Sequence, residues 1–149
     1  MSGRQVASGS GGGNAPGHAL ELRWQGEMRY QSGTPGGPAL ELDGDGSARP
    51  SPVQALVACL ASCAAIDVVE ILQKRREPPT ALSVRVSYQR APDHPRRLTR
   101  VRLNFEVTAP TEPKHAERAV WLSLSKYCSV AASLDPAIPV EWSVTVRPS

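Results

Sequence analysis

Val53 to Leu72 is a nearly unbroken apolar run in this chain of 149 residues, and any fold must find cover for it. Its length alone would suit a membrane span. Asp67 and Glu70 lie inside it, however, and Arg75 follows directly, so three charges would fall where lipid makes them costly. The run therefore predicts a helix through the centre of a core, or one covered by a partner subunit. Its start is legible. Ser51 can cap, Pro52 suits the first helical position and Gln54 completes a capping box. Apolar residues then run all the way round the helical wheel, the pattern of a helix with no wet face. Gln73-Lys74-Arg75-Arg76 sets basic residues against the helix dipole, and Pro78-Pro79 ends the element.

The flanking segments alternate instead. Leu20, Leu22 and Trp24 share one parity, Gln25-Gly26 can turn the chain, and Met28 and Tyr30 resume the alternation. After the Gly/Pro-rich loop Ser32–Pro38 comes Ala39-Leu40-Glu41-Leu42, which completes a three-stranded antiparallel pattern. Asp43-Gly44-Asp45-Gly46-Ser47 reads as the loop into the helix. Beyond the helix, Leu82, Val84, Val86 and Tyr88 form one strand face, and Val101, Leu103, Phe105 and Val107 another. Ala91-Pro92-Asp93-His94-Pro95 joins them as a hairpin turn. Pro113–Lys126 and Ser129–Leu134 read as helical, and Val140, Trp142, Val144 and Val146 close the chain as a last strand. One apolar face per strand predicts antiparallel sheets with one wet side. Strands segregated from helices in this order predict an α+β fold.

Length and composition narrow the function. One domain, 18–149, is expected, preceded by a Gly/Ser-rich tail, 1–17, whose composition cannot bury enough apolar surface to order itself. That tail has no apolar stretch of signal-peptide length, so the expected compartment is the cytoplasm. The 17 Lys+Arg against 14 Asp+Glu leave a net charge of +3, and the arginines are spread out, so no nucleic-acid stripe is expected. Three cysteines, Cys59, Cys63 and Cys128, are too few and too odd for a secreted disulfide framework. His18, His94 and His115 fall at none of the usual ligand spacings, so they read as surface residues and no metal site is expected. No Gly-x-Ser-x-Gly elbow and no nucleotide or flavin motif is present, so neither a serine hydrolase nor a cofactor is expected.

On local context alone, Cys63 and Cys128 read as small buried hydrophobes or as reactive thiols, and Cys59, one turn before Cys63, reads as packing. Two motifs change the weighting. Pro50-Ser51-Pro52-Val53-Gln54-Ala55-Leu56-Val57-Ala58-Cys59-Leu60-Ala61-Ser62-Cys63, continued by Ala64-Ala65-Ile66-Asp67-Val68-Val69-Glu70-Ile71-Leu72, resembles the central helix of the OsmC/Ohr family. Lys126-Tyr127-Cys128-Ser129-Val130 resembles its second signature. The likeness extends over Leu20 to Val146.

That resemblance implies an intertwined homodimer with antiparallel sheets around long buried central helices. It also implies a thiol-dependent peroxidase that reduces organic hydroperoxides or hydrogen peroxide, with a small dithiol or other thiol as reductant. Cys63 is then the peroxidatic residue and Cys128 the resolving one. Family members activate the cysteine with an arginine from the N-terminal sheet or following loop and a glutamate at the helix start. Here Val53-Gln54 supplies no carboxylate, and Arg29, ahead of Arg49, is the candidate to touch substrate and thiolate. Asp67, one turn after Cys63, is a carboxylate that would oppose thiolate formation. The missing glutamate keeps two other readings open: a non-catalytic dimer binding a small apolar ligand, and a thiol redox sensor.

Overall fold

The computed structural model describes residues 20–149, so the tail read from composition and His18 lie outside the described residues. Strands β1 (Glu21–Trp24), β2 (Arg29–Gly33) and β3 (Ala39–Asp43) pair antiparallel in that order. The expected turn after Trp24 forms around Gly26, whose φ of 94° is a conformation glycine adopts without strain, and the Trp24 indole N–H donates to the Glu27 carbonyl at 2.9 Å. Next come α1 (Pro52–Lys74), β4 (Ala81–Arg90), β5 (Leu98–Thr108), α2 (Pro113–Leu122), a π-helical turn (Ser123–Tyr127), α3 (Ser129–Ser133) and β6 (Val140–Arg147). The result is the α+β architecture expected, in two three-stranded sheets.

The capping box at the head of α1 is present in full. The Gln54 amide donates to Ser51 Oγ at 3.3 Å, and the Ser51 amide donates to Gln54 Oε1 at 2.9 Å. Ahead of it the buried Asp43 carboxyl gathers the loop, accepting from the Asp45 and Ala48 amides at 3.0 and 3.1 Å and from Ser47 Oγ at 3.2 Å. The Ala48 amide first, then that of Asp45, hold this carboxyl below the usual carboxylate range. The loop so fixed sets where the helix begins relative to the first sheet.

In the second sheet β5 is central. It pairs antiparallel with β4 as the expected hairpin, but β6 pairs with it parallel, Val101 opposite Val140 and Phe105 opposite Val144. The antiparallel expectation fails for this strand. Alternating apolar and polar residues are the same read in either direction, and direction is set by the connection. The segment carrying α2 and α3 crosses back over the sheet to the starting end, which lays β6 parallel. The helix expected over Pro113–Lys126 also ends early, at Leu122, where the backbone widens into the π turn.

Helix α1 lies against β4 and α2, and α2 in turn covers β6. By length and composition α1 would pass for a membrane span, yet it buries Val57, Leu60, Ala64, Val68 and Leu72 in one core with Leu103, Phe105 and Val107. Its packing is that of a core helix. Within one chain only that face is covered, and Leu56, Cys59 and Ile66 are exposed, Ile66 at 59%. The first sheet is also bare. Register places Leu22, Trp24, Tyr30, Leu40 and Leu42 on one side of it, because residues paired across strands point the same way. Leu22, Trp24 and Leu40 are all exposed.

Candidate active site

Two segments far apart in sequence bring the thiols together. Cys63 sits half-buried in the middle of α1. Cys128 is buried, 2% exposed, at the end of the π turn, where its amide donates to the Ser123 carbonyl at 2.8 Å in the wide π-helical pattern. It also caps α3, its Sγ accepting from the Ala131 amide at 3.4 Å. This geometry turns the next residues toward α1. Ser129 Oγ lies 3.8 Å from Cys63 Sγ.

The two sulfurs are pushed in opposite directions. The Val130 backbone N–H, first, pulls the Cys63 thiol below its ordinary range against the opposing effect of burial. The Cys128 thiol, the Ser129 hydroxyl and the Ser129 amide add to the shift. Burial, first, pushes the Cys128 thiol up, and the charge on neighbouring Cys63 pushes it further, while the Ala131 amide offsets part of this. Amides and a thiol aimed at Cys63 favour its thiolate form, and the raised thiol of Cys128 favours a protonated neighbour, the arrangement of a nucleophile beside a proton donor. All three cysteines are free.

The arginines named from sequence stand elsewhere in the chain. Arg29 is exposed on β2 opposite Asp43, and Arg49 pairs with Glu41. The groups that lower Cys63 belong instead to residues 128–130. Gln54, where the resemblance implies a glutamate, is engaged in the helix cap. His115 is not free on the surface as expected, because its Nδ1 lies 3.2 Å from Glu77 Oε1 in a half-buried contact. Among the described residues no three potential metal ligands gather. An apolar groove of about 520 Å³ opens at the head of α1 between Arg49, Gln54, Val57, Ala58 and Tyr88. Its nearest helical residue, Ala58, precedes Cys63 by about 7.5 Å of helix rise.

Residues 44–143 match the OsmC-like protein family. The chain belongs to that family. Protein YhfA of Escherichia coli strain K12 is 34% identical over 127 residues, 84% of this chain and 95% of that protein. The crystal structure of a hypothetical protein from Aquifex aeolicus VF5 superposes with a TM-score of 0.79 at 27% identity, covering 88% of this chain and 96% of that one. An organic hydroperoxide resistance protein OsmC from Legionella pneumophila shares the fold at a TM-score of 0.66 and 17% identity, over 89% of this chain and 100% of its own.

Within this OsmC-like frame, sequence reasoning missed the Ser129 hydroxyl and the Val130 amide. The available signal was Cys128-Ser129 immediately after a helix, a sequence suited to capping a new one. The polarity of the pair has a direct test. Alkylation of Cys63 by iodoacetamide is expected to rise with pH along a titration curve whose midpoint lies below the ordinary thiol value of about 8.5. Cys128 is expected to stay unlabelled until a higher pH. Peptide mass spectrometry across a pH series reads both, and a Cys63 midpoint at or above the ordinary value would count against thiolate stabilisation by these amides.

Proposed function

We propose that this protein reduces organic hydroperoxides, and hydrogen peroxide, through a sulfenic acid on Cys63 that Cys128 resolves. The observation that carries the reading is the meeting of Cys63 with the Cys128–Val130 segment, Ser129 Oγ lying 3.8 Å from Cys63 Sγ, where the Cys63 thiol is pulled below its ordinary range and the Cys128 thiol pushed above it. Cys63 thiolate attacks the distal peroxide oxygen, the O–O bond breaks, and the alkoxide leaves as alcohol after taking a proton. Cys63 is now a sulfenic acid, oxidised by two electrons. The Cys128 sulfur attacks it, water leaves, and a Cys63–Cys128 disulfide remains. A small dithiol returns the two electrons and leaves as its own disulfide. The chemistry needs no metal or cofactor and suits the cytoplasm, where such a pair is re-reduced. Family membership and the likeness to a protein named for organic hydroperoxide resistance support a peroxide-resistance role.

Peptide mass spectrometry after one equivalent of cumene hydroperoxide, with no reductant, tests the reading. A Cys63–Cys128 disulfide is expected, and a trapped sulfenic acid on Cys63 in Cys128→Ser. If Cys63 remains a free thiol, the apolar groove at the head of α1 favours the other reading, a family fold kept for binding an apolar ligand. A disulfide that forms once but does not turn over with dithiol would point to a redox sensor.

The working unit in this reading is a homodimer. A second copy would cover the apolar side of β1–β3 and the Leu56–Ile66 stripe, which one chain leaves in water. Light scattering at micromolar concentration is expected to give twice the chain mass, with Ile66→Glu shifted toward the monomer. A wild-type monomer under those conditions would remove the dimer from the proposal.

A further inference from the structure

Asp67 has no part in the chemistry above, yet it is not idle. Its Oδ2 accepts a hydrogen bond from Ser123 Oγ at 2.7 Å. Ser123 is fully buried and opens the π turn, and its carbonyl accepts the Cys128 amide at 2.8 Å. Asp67 in turn lies one helical turn beyond Cys63 on the same face of α1. These links form a closed circuit. It runs from Cys63 along one turn of α1 to Asp67, across a hydrogen bond to Ser123, and around the π turn to Cys128. The facing sulfurs complete it. Every span in it is a short piece of helix or a hydrogen bond, so little slack remains between the sulfurs.

We propose that Asp67 and Ser123 are positioning residues for resolution, bracing the π turn so that Cys128 meets the sulfur of Cys63 in line for disulfide closure. The brace acts chiefly on the second chemical step, in which the Cys128 sulfur must lie in line with the bond it breaks, whereas the first needs the amides of Ser129 and Val130 only near enough to favour a negative Cys63. This deepens the thiol-peroxidase reading and takes its biological meaning from it. A regular continuation of α2 would carry Cys128 on a different pitch, with the carbonyl of Ser123 bonded four residues on instead of five.

The test uses an aromatic disulfide, 5,5′-dithiobis(2-nitrobenzoate), in place of peroxide, so failure of the peroxidase reading does not decide it. In a Cys59→Ser background, Cys63 attacks the reagent and releases one coloured thiolate, leaving a mixed disulfide. Cys128 then attacks Cys63, releases the second thiolate and a proton, and closes the internal disulfide. Stopped-flow absorbance separates the two releases. Ser123→Ala is expected to keep the first rate and slow the second by about tenfold or more, the scale expected when a hydrogen bond holding a near-attack geometry is lost. Asp67→Asn, whose amide oxygen still accepts from Ser123, is expected to restore most of the second rate, and Asp67→Ala to behave as Ser123→Ala does. If Ser123→Ala leaves the second rate unchanged, or slows both releases alike, the positioning role is wrong. Should Ser123→Ala fail to give a native circular-dichroism spectrum, the Asp67→Ala and Asp67→Asn pair decides the matter by the same two rates. With cumene hydroperoxide Ser123→Ala and Asp67→Ala are expected to accumulate Cys63 sulfinic acid, because a slowly resolved sulfenic acid meets a second peroxide.

Discussion

A Cys63→Ser protein is expected to consume cumene hydroperoxide at no more than about a thousandth of the wild-type rate, the scale of loss when a nucleophile is replaced by one that does not ionise near neutral pH. The amides of Ser129 and Val130 lie where they favour a negative sulfur, and a serine hydroxyl stays protonated in the same place. Cys128 offers no substitute. It is buried, and burial holds its thiol above the ordinary range, so little thiolate is present to attack peroxide. Cys59 is exposed and lies one helical turn from Cys63, the sulfur at which these amides are aimed. Coupling to a dithiol and following peroxide loss gives the rate, with circular dichroism as the folding control. Retention of more than a tenth of wild-type turnover would move the nucleophile to another residue. Cys128→Ser should differ in kind, with a first turnover like wild type and a failure on the turnovers after it.

Phe105→Ala is expected to lower stability by about 3–5 kcal/mol. Phe105 is 1% exposed at the middle of the central strand, paired with Val84 on one side and Val144 on the other. It is also the only phenylalanine of the chain. The lost stabilisation joins the transfer of a large ring out of water to the cavity left behind, since packed neighbours relax only in part. Small domains hold roughly 5–15 kcal/mol in total, so the change is a large share of the whole. Urea melts at one fixed protein concentration read it, because association would make the midpoint depend on concentration. A loss under 1 kcal/mol would mean that this face of β5 is not the core.

Much of the scaffold is legible in the amino acids because local chemistry decides it. Ser51 through Gln54 can start a helix in almost any context, and the alternations at Leu82–Tyr88 and Val101–Val107 leave one side to bury. The direction of β6 was not legible, because Val140–Val146 alternates identically whether its neighbour runs with it or against it. The bare stripe of α1 was half legible. An all-round apolar wheel shows that cover is needed, but not which residues one chain leaves uncovered. At the site, the two thiols were named from motifs, whereas the groups that tune Cys63 were sought among arginines and glutamates. The structure supplies backbone amides in that place. A peptide N–H has no letter of its own in a sequence, and its direction depends on how the turn at 123–128 winds. The bond between Asp67 and Ser123 escaped for the same reason: it joins two helices whose approach is a tertiary event.

The two sulfurs sit in separate elements, so joining them ties the central helix to the crossover in front of β6. The ring thus closed spans roughly 65 residues, and restricting the unfolded chain that far is worth about 4 kcal/mol in the chain-entropy view. Oxidised molecules would then be the sturdier ones. Each return of electrons to the pair would release that constraint, so the form ready to meet peroxide is also the form closest to unfolding.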